Sequence, residues 1–196
     1  MKSRSAHKKR GTQETSVEIA LEIDGQGKYN INTSIPFLDH MLSLMAKHGF
    51  FNLNITAQGD IQVDFHHTVE DIGIVLGDVF TAALGDKKGM KRYGTAVVPM
   101  DEALAEVNLD ICSRPYLGFH VRMLKGKVGE FDLELVEEFF KAFTNHSGMT
   151  IHVTLKHGEN HHHCIEAIFK ALGRALDQAT MIDNRIESVL STKGEL

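Results

Sequence analysis

The sequence has few cysteines and no long apolar run. Only Cys112 and Cys164 occur among its 196 residues, and they lie far apart. We therefore expect no disulfide framework, and such sparing use of cysteine is typical of a reducing, cytoplasmic compartment. No apolar run approaches the roughly 20 residues that a membrane-spanning helix needs. The sequence accordingly predicts a cytoplasmic protein that does not enter a membrane.

Positive charge and nucleotide-binding loops are also scarce. The net charge is -5, and no basic stripe follows the first ten residues, which argues against binding of nucleic acid. No glycine-rich nucleotide loop is present, so a kinase is not expected. Residues 1–10 are basic without an apolar segment, which predicts a flexible tail and not a secretory signal. No proline- or serine-rich linker interrupts residues 11–196, which we predict to form a single domain.

Histidine, by contrast, occurs twelve times, and one histidine-rich pattern is repeated. His-His-x-x-Glu appears at residues 66–70 and again at 162–166. Apolar residues spaced by three and four follow each copy. Each copy is therefore predicted to begin a helix with one buried face. The first of these helices is predicted to end at Gly85.

The spacing within each copy favours metal binding. Residues i and i+4 of a helix lie on one face, so His66 and Glu70 can share a ligand, as can His162 and Glu166. The second histidine of each pair points about 100° away, so a second ion would be needed to bind it. We interpret the two copies as halves of a two-metal site with imidazole and carboxylate ligands.

A histidine on a helix is, however, more often a partly buried polar residue than a metal ligand. The second copy, again at a predicted strand-to-helix junction, shifts the balance towards metal. The zinc-protease pattern, with histidines at i and i+4 and a glutamate between them, is absent. Nitrogen and oxygen ligands without thiolate suit manganese or iron better than a structural zinc site. Cys164 is expected to be a packed neighbour of the ligands.

The rest of the chain also repeats. Residues 17–23 alternate apolar and polar side chains, and the same pattern returns at 105–111. A helical pattern that begins at Pro36 and stops near Gly49 returns at 133–146. Such self-similarity indicates two copies of one supersecondary unit, at about 12–90 and 91–185. Further strands are predicted at residues 29–35, 53–57, 61–65 and 151–156, and the first strand is predicted to run from 17 to 24.

These elements predict an α+β fold with an internally duplicated unit. We expect two mostly antiparallel four-stranded sheets with helices packed on one face. The duplication aligns His48 with His146 and His40 with Glu138. It thus adds His40 and Glu138 to the predicted ligands, and eight ligands suffice for two ions that keep positions for substrate or water. The predicted metal set is His40, His66, His67, Glu70, Glu138, His162, His163 and Glu166.

Longer motifs then identify a family. They are residues 36–42 (PFLDHML), 66–73 (HHTVEDIG), Arg114-Pro115, and 162–171 (HHCIEAIFKA). From about residue 12 to 193 the chain resembles imidazoleglycerol-phosphate dehydratase. The resemblance implies a lyase of histidine biosynthesis that removes water from D-erythro-imidazole-glycerol phosphate to give imidazole-acetol phosphate. It further implies two Mn²⁺ per subunit and a homo-oligomer of 24 subunits with metal sites at the subunit interfaces. Some members carry histidine where this chain has Glu138, and a carboxylate also suits manganese.

The resemblance also implies which residues contact the substrate. Arginines give a forked, bidentate grip on phosphate. Glu18, Glu70 and Glu166 are the predicted catalytic residues, as carboxylates that could move a proton. Taken alone, Glu18 would be a solvated residue of a strand. The predicted substrate-binding set is Glu18, His40, His48, His66, His67, Glu70, Arg92, Arg114, His162, Glu166, Lys170, Ser191 and Lys193.

Two other functions remain open from the residues. One is a hydrolase that uses metal-bound water at the same two-metal site. The other is a non-catalytic, metal-binding shell protein, in which no reaction would depend on Glu18 or Lys170.

Overall fold

A computed structural model describes residues 3–122 and 125–196. The first half of the chain forms β1 (Ser5–Gly11), β2 (Thr15–Glu22), β3 (Tyr29–Asn32), α1 (Pro36–His48), β4 (Asn52–Gly59) and α2 (His66–Leu84). The second half forms β5 (Tyr93–Met100), β6 (Ala103–Asp110), β7 (Tyr116–His120), β8 (Lys127–Val128), β9 (Phe131–Asp132), α3 (Leu135–Ser147), β10 (Thr150–His157) and α4 (His161–Thr180). The order repeats, apart from the short β8–β9 hairpin inserted before α3. This confirms the predicted duplication.

Each half contributes one four-stranded sheet. The strand orders are β1-β2-β4-β3 and β5-β6-β10-β7, so equivalent strands occupy equivalent positions. In each sheet two pairings are antiparallel, and the last, β3 with β4 or β7 with β10, is parallel. The predicted pair of mostly antiparallel four-stranded sheets is therefore confirmed.

The helices cover one face of each sheet and also join the halves. Helix α2 packs on β1, β2 and β4, and α4 packs on β5, β6 and β10. In addition, α2 contacts α3 and α1 contacts α4, so both helix pairs cross from one half to the other. The strands follow this arrangement, because Val17, Ile19 and Leu21 of β2 are buried whereas Glu18 lies on the opposite, outer face.

Small residues bring the helices of the two halves close together. A Cβ atom on Gly73 of α2 would lie 2.9 Å from the carbonyl oxygen of Phe139 in α3. A Cβ on Gly173 of α4 would lie 2.5 Å from the carbonyl oxygen of Met45 in α1. Glycine is thus required at both helix contacts, since any larger residue would push the halves apart.

Two local predictions are wrong. The first is the flexible tail over residues 1–10. Residues 1–2 lie outside the described residues, but Ser5–Gly11 is strand β1 and pairs with β2 along its whole length. Its basic side chains hid the strand pattern, yet they have partners: Arg10 lies 2.5 Å from Asp71 and Lys8 lies 2.7 Å from Asp78. Charged side chains are common on edge strands.

The second is the strand predicted at residues 61–65. Residues 61–63 form a turn, in which the backbone N–H of Val63 donates to the carbonyl oxygen of Asp60 over 2.8 Å. The side chain of Val63 is 66% exposed, so the apolar alternation there does not report a buried face. The predicted strand at 29–35 also ends early, because Ser34 adopts a positive φ of 65° that interrupts an extended chain.

Candidate metal centre and substrate cavity

Three of the predicted ligands meet where α1 packs on α4. Glu166 Oε1 lies 2.7 Å from His40 Nε2 and 3.2 Å from His162 Nε2. One ligand atom from each of the three side chains lies within 4.8 Å of the other two. Within residues 3–122 and 125–196, no other group of three or more histidine, cysteine, aspartate or glutamate side chains meets that criterion. We call His40, His162 and Glu166 the triad.

The beginning of α4 fixes the two histidines that it contributes. The side chain of Asn160 caps the helix and accepts hydrogen bonds from the backbone N–H groups of His162, at 2.9 Å, and His163, at 3.4 Å. His162 and Glu166 then share one face of the helix, as their spacing predicts. Position and capping together place the imidazole of His162 beside the carboxylate.

The electrostatics of the triad favour a cation. Glu166 is only 7% exposed, and Lys170 Nζ lies 2.6 Å from its Oε2 atom. Burial raises the pKa of Glu166, but hydrogen bonds from Lys170 and His40 outweigh it and lower the pKa to about 2. The carboxylate is therefore ionised at neutral pH and flanked by two imidazoles. This nitrogen and oxygen donor set fits a divalent ion such as Mn²⁺, and it supplies fewer ligands than octahedral coordination takes.

His48 lies on α1 near the same part of α4. Its pKa is lowered, first by burial and then by the positive charges of Lys170 and Arg174. The neutral imidazole is thus favoured at this position. His48 ends α1, the helix that also carries His40, and its place in the substrate-binding set stays a prediction.

The first histidine pattern is not assembled in the same way. His66 and Glu70 begin α2, and α2 packs on α3, which carries Glu138. Glu138, however, interacts with Lys141 at 3.7 Å and is not gathered with His66 and Glu70 into a compact ligand group. Helices α1 and α3 hold equivalent places in the two halves, whereas the equivalence of His40 and Glu138 stays a prediction. Among the described residues, one subunit brings together only His40, His162 and Glu166.

The second histidine of each pattern faces a carboxylate that the sequence analysis missed. His67 Nδ1 lies 3.1 Å from Asp60 and 3.9 Å from Glu14, and His163 Nδ1 lies 2.7 Å from Glu102. Glu102 lies 61 positions before His163, and Asp60 lies seven positions before His67 with an intervening turn, so neither fits the i, i+4 spacing of the histidine patterns. The duplication offered a signal, because Glu14 and Glu102 are 88 positions apart (102 minus 14), the shift that relates β2 to β6.

Four residues of the predicted substrate-binding set line one cavity of about 650 Å³, whereas Lys170 lies apart from it beside Glu166. Arg92, Arg114, Ser191 and Lys193 line the cavity, and the C-terminal segment forms one wall. Arg92 is held firmly: Nε and Nη2 bond Asp110, at 2.6 and 3.0 Å, and Nη1 donates to the carbonyl oxygen of Leu190 over 2.7 Å. Arg114 is 67% exposed and remains accessible to an anion.

Glu18 lies elsewhere. Its Oε1 atom is 3.0 Å from His7 Nε2, and Oε2 is 3.4 Å from Lys9 Nζ, on the outer face of the first sheet. These two hydrogen bonds lower the pKa of the Glu18 carboxyl group. Because α2 covers the inner face of this sheet, Glu18 is separated from the triad of its own subunit.

An apolar cavity of about 540 Å³ adjoins the triad. His40 and His162 form part of its wall, and the β8–β9 hairpin contributes Val128 and Phe131. The aromatic ring of Phe37 packs on both Phe131 and His162, with ring centroids 5.2 and 5.4 Å apart. The hairpin inserted in the second half therefore shapes the surroundings of the triad.

Comparison with known proteins places these motifs in one family. Residues 33–176 match the family model described as imidazoleglycerol-phosphate dehydratase. The chain is 61% identical over 194 residues to imidazoleglycerol-phosphate dehydratase of Geobacter metallireducens, covering 99% of this chain and 100% of the relative. It is 57% identical over 193 residues to the enzyme of that name from Caldanaerobacter subterraneus, covering 98% and 100%.

Solved structures support the same family assignment. Imidazoleglycerol-phosphate dehydratase from Staphylococcus aureus superposes with a TM-score of 0.83 at 47% identity, covering 91% of this chain and 99% of that chain. The structure from Pyrococcus furiosus gives 0.83 at 37% identity, covering 96% and 100%. Separately, none of the helices in the described part of the chain combines the length and apolar character that crossing a membrane demands.

Proposed function

This chain belongs to the imidazoleglycerol-phosphate dehydratase family, and we propose that it removes water from D-erythro-imidazole-glycerol phosphate with two bound Mn²⁺ ions per subunit. The product is imidazole-acetol phosphate, and the reaction class is a carbon–oxygen lyase. The observation that carries the metal requirement is the triad, in which a buried, ionised carboxylate lies between two imidazole nitrogens. All three residues lie within the segment that matches the family.

The eight predicted ligands divide into two related sets. His40, His162 and Glu166 would hold one ion, and the equivalent residues of the other half, Glu138, His66 and Glu70, would hold the second. His67 and His163 turn away from these faces, so each is available to complete one of the two sites. When bound, Mn²⁺ supplies Lewis-acid catalysis and a template that orients the imidazole ring of the substrate.

Incomplete ligand sets support assembly of several subunits. The triad has fewer ligands than manganese takes, and Glu138, His66 and Glu70 are not gathered in one subunit. We therefore propose a homo-oligomer of 24 subunits, in which neighbouring copies complete both sites. Glu18, which faces outward on its own sheet, would then serve the site of a neighbouring subunit. The cytoplasm is the proposed compartment.

The chain's own residues divide the remaining tasks. Arg92, Arg114, Ser191 and Lys193 bind the phosphate, because they surround one cavity and offer donors and positive charge. Lys170 keeps Glu166 ionised and therefore ready to hold a cation. A carboxylate that stays ionised is suited to metal binding, which is the role proposed for Glu166. Proton transfer is assigned to the predicted catalytic carboxylates, Glu18, Glu70 and Glu166.

A manganese titration of metal-stripped protein tests this function. Formation of imidazole-acetol phosphate and particle size by light scattering are measured on the same samples. We expect activity and a large particle to appear together at about two ions per chain, with no turnover of generic phosphate esters. Glu166→Gln should abolish the response, whereas Glu106→Gln, on the outer face of β6, should not. Hydrolysis of generic esters would favour the metal-dependent hydrolase, and a particle without product would favour the shell protein.

A further inference from the structure

The two histidines outside the triad and its counterpart, His67 and His163, share one unexplained feature. Each has its Nδ1 atom against a carboxylate: Asp60 at 3.1 Å for His67 and Glu102 at 2.7 Å for His163. The two carboxylates come from different turns, since Asp60 follows β4 and Glu102 lies between β5 and β6. The same contact is thus made twice by unrelated local structures.

The contact at His163 is rigidly built. One oxygen of Glu102 bonds the imidazole, and the other accepts the backbone N–H groups of Asn160, at 2.8 Å, and Glu159, at 3.3 Å. Those residues lead directly into α4, and Asn160 caps it. Glu102 therefore ties the β5–β6 turn to the beginning of the helix that carries His163. Asp101 lies farther away, with its carboxylate 3.9 Å from His163 Nε2 and 71% exposed.

The contact at His67 is fixed in a similar way. Both carboxylate oxygens of Asp60 lie within 3.2 Å of His67 Nδ1. The backbone N–H of Asp60 donates to the carbonyl oxygen of Glu14 over 3.1 Å, which joins the β1–β2 turn to the segment that precedes α2. The side chain of Glu14, the internal counterpart of Glu102, is 3.9 Å from the same imidazole.

Such a carboxylate determines which nitrogen of the ring carries the proton. Aspartate and glutamate are ionised at neutral pH and then only accept hydrogen bonds. A neutral imidazole that donates from Nδ1 presents a lone pair at Nε2, and this is the form that binds a metal. Carboxylates behind metal-binding histidines fix ring orientation and raise ligand basicity, and their loss typically weakens metal binding about 10–100-fold.

We propose that Asp60 and Glu102 are positioning residues that hold the imidazoles of His67 and His163 with Nδ1 protonated and Nε2 directed to a metal ion. This inference rests on the proposed two-ion site. It adds, for each ion, one carboxylate residue that contacts a metal-binding histidine. Because the contact is duplicated, each carboxylate serves one ion. Loss of Glu102 should weaken the site completed by His163, and loss of Asp60 should weaken the site completed by His67.

Metal binding to full-length, metal-stripped protein tests the proposal. Mn²⁺ binding is measured by equilibrium dialysis, and electron paramagnetic resonance reports the zero-field splitting of the bound ions. The variants are Glu102→Leu, which removes the acceptor, Glu102→Gln, which keeps a neutral acceptor oxygen, and Asp60→Leu. Glu106→Gln is the matched control, because Glu106 lies on β6, the strand that follows Glu102, and its carboxylate contacts Lys156 on the outer face.

We expect Glu102→Leu and Asp60→Leu each to lower the Mn²⁺ affinity of one of the two sites by about 10–100-fold and to leave the affinity of the other site unchanged. Glu102→Gln should have an intermediate effect, and the zero-field splitting should change at the weakened site alone. The metal-free melting temperature of Glu102→Gln, whose amide oxygen can still accept the backbone N–H groups of Glu159 and Asn160, should match that of Glu106→Gln, whereas Glu102→Leu loses those contacts and should melt lower. Asp60→Leu provides an independent arm if Glu102→Leu does not fold.

Two results would overturn the proposal. One is Mn²⁺ binding by Glu102→Leu and Asp60→Leu that equals that of Glu106→Gln. The other is weaker Mn²⁺ binding that occurs only in variants whose metal-free melting temperature also falls. The effect would then come from lost contacts between the turn and the helix, and not from the orientation of the imidazole. If the unaltered chain bound no Mn²⁺, the two-ion site itself would be refuted, and this result is distinct from failure of the positioning role alone.

Discussion

Lys170 Nζ lies 2.6 Å from Glu166 Oε2. Lys170 follows Glu166 by one turn of α4, and both side chains are at most 14% exposed. This contact makes the contribution of Glu166 to folding stability depend on pH. The folded pKa of Glu166 is about 2, below its ordinary value of 4.5, so the ionised group stabilises the fold fully above pH 4.5. That contribution is lost as the pH falls from 4.5 towards 2.

Replacing Lys170 by methionine should reduce this loss. The variant removes the cation that lowers the pKa of Glu166, while burial continues to raise it. Because the loss spans the interval between the unfolded and the folded pKa, urea unfolding of metal-free Lys170→Met between pH 2 and 6 should show a smaller acid-dependent fall in stability than the unaltered chain. Glu166→Gln, which cannot ionise, should lack this component. Identical profiles for all three proteins would contradict the assignment.

The two arginines of the phosphate cavity should behave differently. Arg114 is 67% exposed and makes only a long, 4.0 Å ion pair with Asp110, so Arg114→Ala should raise KM about tenfold or more with little change in melting temperature. Arg92 also holds Asp110 and the carbonyl of Leu190. Arg92→Ala should therefore raise KM and lower the melting temperature together. Steady-state kinetics and calorimetry on the two variants measure both effects, and equal melting temperatures would refute the anchoring role.

The contact between α2 and α3 should not accept a larger side chain. A methyl group on Gly73 would come 2.8 Å from the Cβ of Ala142 and 2.9 Å from a backbone oxygen, neither of which can rotate away. Gly73→Ala should cost about 1–3 kcal/mol in the free energy of unfolding. Gly11→Ala is the control, because nothing lies within 4 Å of a Cβ there. Urea unfolding measures both, and an unchanged midpoint for Gly73→Ala would argue against tight packing.

The first strand should contribute to stability although its composition resembles a tail. Arg10 lies 2.5 Å from Asp71, a carboxylate that is 7% exposed and is also bonded by Thr15. Arg10→Ala would leave that buried charge without its cation, at a cost of about 1.5–3 kcal/mol. Arg185 makes a comparable bidentate contact with Asp183 but is 87% exposed. Arg185→Ala should therefore lower the stability much less than Arg10→Ala, because water screens the exposed pair.

The predictable features are those that repeat at short range. The helix spacing of His162 and Glu166, the alternation in β2 and β6, and the duplicated order of elements follow from periodicity, and the structure confirms them. The internal match of His40 with Glu138 paired α1 with α3, which hold equivalent places in the order of elements, but the equivalence of the two residues stays a prediction. It did not show that only His40 would reach a carboxylate and a second histidine within one subunit.

The features that sequence analysis missed depend on contacts between distant segments. Strand β1 is recognisable only once Arg10 and Lys8 are seen to reach Asp71 and Asp78 on α2. Residues 61–65 alternate like a strand, but they turn, because α2 begins at His66 directly afterwards. Glu102 comes to lie beside His163 because the distant β5–β6 turn is brought to the beginning of α4, whereas Asp60 reaches His67 through the turn that directly precedes α2.

The crossed packing of the helices has a consequence for the independence of the halves. Helix α2 finds its helical partner in α3 and α1 finds its partner in α4, with Gly73 and Gly173 at the points of closest approach. A chain of half this length would therefore present two uncovered helix faces to water. It could bury them only by pairing with a second copy of itself. The full chain thus joins two similar halves covalently, with each half covering helix faces of the other. We therefore expect the two halves to fold and unfold as a single cooperative unit.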